Sequence, residues 1–184
     1  MEQAMDELSS TGVILPVVAR ASVAEHFGMD SETASPFPIG FLGEAAGVFV
    51  TIRNRKGELR GCRGTIQPQH ANVIEETRQL ALSSALQDTR FEAVRVHELD
   101  DLVYEVSVLH PPEPVVSLEA FDPANYGIIV RDDNGRRALM LPNVDGLDTV
   151  EKQYRATCHK GGIDPDGVVT LERFRVEKFS EVES

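Results

Sequence analysis

Gly47-Val48-Phe49-Val50-Thr51-Ile52-Arg53-Asn54-Arg55-Lys56-Gly57-Glu58-Leu59-Arg60-Gly61-Cys62-Arg63-Gly64-Thr65-Ile66 decides how the chain folds. Its first six residues are rich in β-branched and aromatic side chains, which suit a pleated, half-buried strand. Arg53 to Gly57 is polar and ends in glycine, so it reads as a hairpin turn. Glu58 to Ile66 returns as the second arm. Strand alternation along that arm places Arg60 and Cys62 on one face, with Leu59 and Arg63 on the other. Gly61 and Gly64 flank the cysteine, and glycine within a strand permits another group to approach closely. A cation beside a thiol favours the thiolate, so Arg60 and Cys62 are the candidate catalytic pair. The alternative is that Cys62 is a small buried hydrophobe.

Outward from the hairpin, residues 1–10 read as an irregular start. Thr11 to Phe27 carries Ile14, Leu15, Val18, Ala21 and Phe27 at helical spacing, with Pro16 best placed in a first turn. Gly28 is the stop signal. Asp30 to Pro38 is a polar loop rich in Ser and Pro. After Pro68 a second helix is expected over about His70 to Leu86, with Val73, Thr77, Leu80, Ala81 and Ser84 on one face. Leu102 to Leu109 alternates as a strand, with Leu102, Tyr104, Val106 and Val108 on one side and Val103, Glu105, Ser107 and Leu109 on the other. Pro111, Pro112 and Pro114 end it, because proline cannot donate to a ladder.

The second half repeats the theme. Tyr126 to Val130 and Arg137 to Leu141 are short strands joined by the turn Asp132-Asp133-Asn134-Gly135. That turn has the oxygen-rich start of a calcium loop, but Arg136 stands where a third ligand belongs and no closing Glu follows. Asp148 is expected to cap a helix running to about Lys160, with Gly161-Gly162 ending it. On that helix Val150, Tyr154, Thr157 and Cys158 form one stripe, which reads Cys158 as core. Asp164-Pro165-Asp166-Gly167 is a turn, and Leu171 to Phe179 is the last strand. Two passes of hairpin, helix and strand suggest an internal duplication that the letters no longer show. The class is α+β, with a mostly antiparallel or mixed sheet and flanking helices.

The chain has 184 residues and 41% hydrophobic residues, enough for a real core. Its net charge is −12. Phosphate binding rests on a surplus of Lys and Arg, so this balance argues against a nucleic-acid partner, and equally against docking on anionic lipid. No segment has the length of a membrane span. The start is acidic, with Glu2, Asp6 and Glu7, and lacks the basic and apolar pattern of a signal peptide. With 2 cysteines, a reducing cytoplasm and free thiols are expected, although sequence alone leaves a Cys62–Cys158 disulfide open. His26, His70, His97, His110 and His159 show no metal-site spacing. A composite site of Cys62, Cys158, His159 and His70 lacks close-spaced pairs, so no metal is expected and no cofactor is indicated. Neither a phosphate-cradling glycine loop nor a G-x-S-x-G elbow is present.

Glu58-Leu59-Arg60-Gly61-Cys62-Arg63-Gly64-Thr65-Ile66 resembles the L-R-G-C-I-G-T signature of the AMMECR-type domain family, the A component of the AmmeMemoRadiSam system. Asp88-Thr89-Arg90-Phe91 is similar to the family's D-P-R-F. The segment Tyr104 to Pro114 is similar to its E-I-S-V-L-S-P-P-E-P. Leu141-Pro142-Asn143-Val144 is similar to L-P-Q-V, and Thr157-Cys158-His159-Lys160-Gly161-Gly162-Ile163 to T-C-x-K-A-G-L. The matches run in the family's order from about Gly47 to Phe179. Arg63 replaces the usual isoleucine, Thr89 the usual proline, and Gly162 stands near an expected alanine-glycine pair. The resemblance implies a single AMMECR-type domain over 1–184, built as two intertwined subdomains. Its parts are a helix and loop over 1–45, the signature hairpin and helix over 46–100, and a second half over 101–184. It also implies a modification pathway shared with Memo-like and radical-SAM-like proteins.

Three functions follow for test. In the first, an enzyme or enzyme subunit uses Cys62 as nucleophile or thiol ligand, and Arg60 orients an anionic substrate. In the second, a non-catalytic module holds a peptide, small molecule or protein at the same place. The third, a nucleic-acid regulator, is the weakest against the acidic balance. Gly61, Arg63, Gly64, Thr65, Arg90 and Glu105 are the candidate binding residues. Glu105 either faces solvent or is held by Arg60 or Arg90.

Overall fold

The computed structural model describes residues 2–29 and 44–181, with side chains from residue 14 onward. The expected loop at Asp30 to Pro38 lies outside the described residues. Helix α1 is Glu2–His26, β1 is Gly47–Asn54, β2 is Leu59–Gly64, and α2 is Val73–Leu86. After a 3₁₀ helix at Val96–Asp101 come β3, Leu102–Leu109, and β4, Glu113–Val115. A 3₁₀ turn at Leu118–Ala120 leads to β5, Gly127–Asp132, and β6, Arg137–Met140. Helix α3 is Val150–Gly161, followed by β7, Val169–Phe174, and β8, Val176–Ser180.

The chain forms two compact units, residues 1–108 with 178–184, and residues 109–177. Each holds a four-stranded sheet, ordered β2-β1-β3-β8 in the first and β4-β7-β5-β6 in the second. Read from the hairpin outward, the two orders correspond. Each sheet runs from the second hairpin arm to the first arm, then to the strand after the helix, then to one further strand. In the first sheet that further strand is β8, which follows β7 in the chain. In the second it is β4, which follows β3. Each half of the chain therefore gives its last strand to the other half's sheet.

In the first unit, Val48, Val50 and Ile52 of β1 are wholly buried with Leu102, Tyr104 and Val106 of β3. They share one core with Leu15, Val18, Ala19 and Val23 of α1 and with Val73, Ile74, Leu80, Ala81 and Ala85 of α2. Burying an aliphatic side chain of this size contributes roughly 1.5–3 kcal/mol. The hairpin turn is set by Asn54, whose Oδ1 accepts from the N–H groups of Lys56 and Glu58, while Gly57 takes the left-handed conformation at φ +83°. In the second unit Ile128, Val130, Ala138, Tyr154, Cys158 and Ile163 form a separate core. Asp132 closes the β5–β6 turn, its Oδ1 accepting from the N–H groups of Asn134 and Arg136.

Several boundaries differ from expectation. Helix α1 begins at Glu2, so the irregular start is helical and Pro16 lies in the helix interior; proline there removes one backbone hydrogen bond. Helix α2 begins at Val73, because the Asn72 side chain accepts from Glu75 N–H as the N-cap. Thr149, and not Asp148, caps α3 by accepting from Lys152 N–H, and Gly162 ends it at φ 62°. The prolines after β3 do not exclude a strand: β4 contains Pro114 and pairs antiparallel with β7 at the sheet edge, where a missing donor is tolerated. The single last strand is two, parted at Arg175 and serving different sheets.

Candidate functional site

The signature arm pairs antiparallel with β1, with Thr51 opposite Cys62, Ile52 opposite Gly61 and Arg53 opposite Leu59. That register leaves Arg60 as the extra residue of a β-bulge, and a bulge breaks simple side-chain alternation. Cys62 is free and half-buried. Its Sγ lies 3.4 Å from the hydroxyl oxygen of buried Thr51. The flanking glycines serve internal packing. A Cβ on Gly61 would stand 2.1 Å from the Ser84 carbonyl oxygen of α2, and one on Gly64 would stand 2.3 Å from the Phe49 ring. The groups that approach these glycines closely are thus the protein's own helix and ring.

The peptide of Cys62 is held on both sides by one ion pair. Its N–H donates to Asp88 Oδ2 at 2.9 Å, and its carbonyl accepts from Arg90 at 3.3 Å. Arg90 in turn donates to Asp88 through Nε at 2.9 Å and a terminal nitrogen at 2.6 Å. The Arg90 guanidinium holds the Asp88 carboxyl well below its ordinary value; burial opposes this and the Cys62 amide assists it. Arg90 also lies over the Phe91 ring, 5.3 Å from its centroid. Thus Asp88, Arg90 and Phe91 of the Asp88-Thr89-Arg90-Phe91 segment interlock behind the cysteine. Asp88 was the residue that reading for cationic neighbours missed, and its place in the motif was the available signal.

Arg60 is engaged elsewhere. Its Nε and a terminal nitrogen donate to both carboxylate oxygens of Glu98 at 2.8 and 2.9 Å, and it reaches the Glu92 carbonyl at 3.1 Å. Glu98 sits on the 3₁₀ helix and also accepts from the Arg95 N–H. Burial raises the Glu98 carboxyl, but the bonds from Arg95 and Arg60 outweigh it and leave it lowered. Arg63 donates its N–H to Ser84 Oγ and its guanidinium to the Gln87 carbonyl, so it packs along α2. Ser84 Oγ donates onward to the Val50 carbonyl and so bridges β1 and β2. Thr65 donates to the wholly buried Glu76 at 2.5 Å. Glu105 faces Lys178 at 3.8 Å across to β8; its partner is neither Arg60 nor Arg90.

Cys158 is fully buried, and burial raises its thiol pKa, with the Tyr154 hydrogen bond opposing. Both cysteines are free, so no Cys62–Cys158 disulfide joins them. Among the described residues no group of three or more His, Cys, Asp or Glu side chains is placed to hold a metal ion. Among them, too, no helix is long and apolar enough to cross a membrane.

The fold and the cysteine hairpin define an α+β protein of two strand-exchanged sheets with a signature strand locked by an Asp–Arg pair. The AMMECR1 family model matches residues 16–181, and the chain belongs to that family. A protein of Thermotoga maritima is 42% identical over 83% of this chain and 88% of its own length. One from Methanothermobacter thermautotrophicus is 36% identical over 92% and 94%. The crystal structure of protein PH0010 from Pyrococcus horikoshii superposes with a TM-score of 0.79 at 32% identity, covering 92% of this chain and 91% of that one. A Clostridium acetobutylicum protein is 40% identical over 73% of this chain, but over only 28% of its own length.

Proposed function

We propose that this chain is an enzyme, or the subunit of one, whose reactive group is the Cys62 thiol. The observation that carries the reading is the clamp. The cysteine peptide is fixed by Asp88 on its N–H and Arg90 on its carbonyl, while the thiol stays half-buried and free. Positional locking of this kind is what a reacting atom requires. The clamp also limits the chemistry. The Cys62 N–H is already bonded to a carboxylate, so it is not available to a developing oxyanion, as the nucleophile's own amide is in many acyl-transfer enzymes. Thiol addition or transfer fits better.

The partners in this reading are Memo-like and radical-SAM-like proteins of one modification pathway, working in a reducing cytoplasm. The match to a short part of a much longer chain supports it, since a pathway component can be fused to others. The net charge of −12 weighs against nucleic acid or an anionic membrane as a partner. The test is mass-spectrometric capture from cells that also express the Memo-like and radical-SAM-like proteins. A covalent adduct mapped to Cys62, lost in Cys62→Ser and absent from Cys158, is expected. An unmodified Cys62, together with a Cys62→Ser variant that sustains the pathway, would reject it.

One observation favours the binding module instead. Arg60, the residue expected to orient an anion, has both sides of its guanidinium fork on Glu98. An anionic substrate would have to displace a two-point carboxylate, which is costly for a charge-assisted pair. Recovery of a partner complex that is indifferent to Cys62→Ser would select this reading.

A further inference from the structure

Between β2 and α2 lies a second group of residues that the cysteine chemistry does not use. Glu76 has no solvent exposure. One of its carboxylate oxygens accepts from the Thr65 hydroxyl at 2.5 Å. The other accepts from the Gln69 N–H at 2.8 Å, the His70 N–H at 2.9 Å and the His70 ring Nδ1 at 2.9 Å. Burial raises this carboxyl, and the bonds from Thr65, Gln69 and His70 outweigh it, so the group stands lowered and ionised. The His70 side chain is 35% exposed, and its Nε2 has no hydrogen-bond partner among the described residues.

A buried carboxylate is expensive unless it is paired. Among the described residues the one cationic side chain recorded against Glu76 is the His70 ring, when protonated. A glutamine could not take its place fully, because its amide has one acceptor oxygen while the donors approach both oxygens of the carboxylate. The same carboxylate thus anchors the loop and holds the imidazole. Nδ1–H donated to a carboxylate fixes the tautomer and leaves the Nε2 lone pair free. The same division of labour between an orienting carboxylate and a base serves in many proton-transfer sites.

We propose that His70 and Glu76 form a proton-transfer dyad, in which His70 Nε2 is the base for a hydroxyl or water that attacks an acyl compound. As the oxygen attacks, one of its lone pairs forms the new bond to the acyl carbon, the carbonyl π pair moves onto the carbonyl oxygen, and the O–H proton passes to Nε2. The resulting imidazolium is held by Glu76 through Nδ1–H; as the tetrahedral adduct collapses, the bond from the acyl carbon to the departing group breaks and that group takes the proton from Nε2. His70 is the catalytic residue of this dyad and Glu76 the positioning one. The inference stands apart from the reactivity of Cys62.

The probe is p-nitrophenyl acetate, used with the full chain in a Cys62→Ser background so that the thiol cannot accept the acetyl group. Hydrolysis above the buffer rate is expected. His70→Gln should lower it by about tenfold or more, modest beside the full effect of a positioned general base because the ester is not the natural substrate. Glu76→Gln keeps the size but replaces one acceptor oxygen by a donor, so its thermal midpoint should fall; assayed well below that midpoint, kcat should fall severalfold while KM stays unchanged. Free imidazole should restore part of the rate to His70→Gly. A rate no higher than buffer, a His70→Gln variant within twofold of its parent, or a Glu76→Gln loss confined to KM or to stability would each overturn the dyad.

Discussion

At Gly61 the chain tolerates no side chain, because a Cβ there would meet the Ser84 carbonyl at 2.1 Å. Gly61→Ala must push α2 off the hairpin or distort the bulge. The expected loss is about 1–3 kcal/mol or more, as for other overpacked sites, read from the denaturant midpoint. Asp88 gives a test with a sign. The neighbouring Arg90 depresses its carboxyl in the folded state. A depressed carboxyl contributes stability that is present above its unfolded value of about 3.9 and is lost as pH falls through the lower folded value. Wild type should therefore lose stability more steeply than Asp88→Asn below about pH 5. At pH 7 the variant should be weaker by about 1–3 kcal/mol, as urea titrations at the two pH values would show. Cys62 and Arg90 were legible in sequence because they stand inside short motifs. The partner of Arg60 was not. Glu98 is 38 positions away, and a one-residue bulge, invisible in the letters, interrupts the alternation that placed Arg60 beside the thiol.

Besides its pairing with β1, the cysteine arm is braced by α2, and Ser84 makes the contact. Its hydroxyl accepts from the Arg63 N–H and donates to the Val50 carbonyl, both at 2.9 Å. Ser84→Ala leaves both backbone groups without that partner and should cost about 1–3 kcal/mol. Faster amide exchange at Arg63 should accompany the loss, whereas unchanged exchange would show that the bridge is idle. The span of β3 was readable to the residue, since Leu102 to Leu109 alternates between a charged turn and a proline cluster. The break between β7 and β8 was not, because alternation runs on through Arg175 with no glycine or proline to mark it. Strand β4 was hidden for the opposite reason: its proline reads as a terminator, yet an edge strand accommodates it.

On the scale of the whole molecule, Glu181, just after β8, is tied to the first helix. The carboxylate of Glu181 accepts from Arg20 at 2.5 and 2.7 Å and from the Tyr104 N–H at 3.0 Å. Glu181→Ala removes an anchor that joins α1, β3 and the end of β8. The expected loss is about 1–3 kcal/mol, with exchange protection falling at Tyr104 while β5 and β6 are unaffected. Uniform loosening of both sheets would contradict that placement. The two-pass pattern of hairpin, helix and strand was visible from residue types alone. The exchange of last strands was not, because pairing partners far apart in sequence leave no local trace.

That exchange has a consequence during synthesis. The ribosome completes β1, β2, α2 and β3 first, yet the strand that covers the outer edge of β3 is β8, which begins at Val176, long after β3 ends at Leu109. At about 5–20 residues per second, the nascent chain carries an open sheet edge for several seconds before its own β8 emerges. An open edge pairs with whatever strand is at hand. When many copies are made at once, the β8 of a neighbouring chain is the best-matched candidate, and a swapped dimer is the characteristic misassembly of this topology.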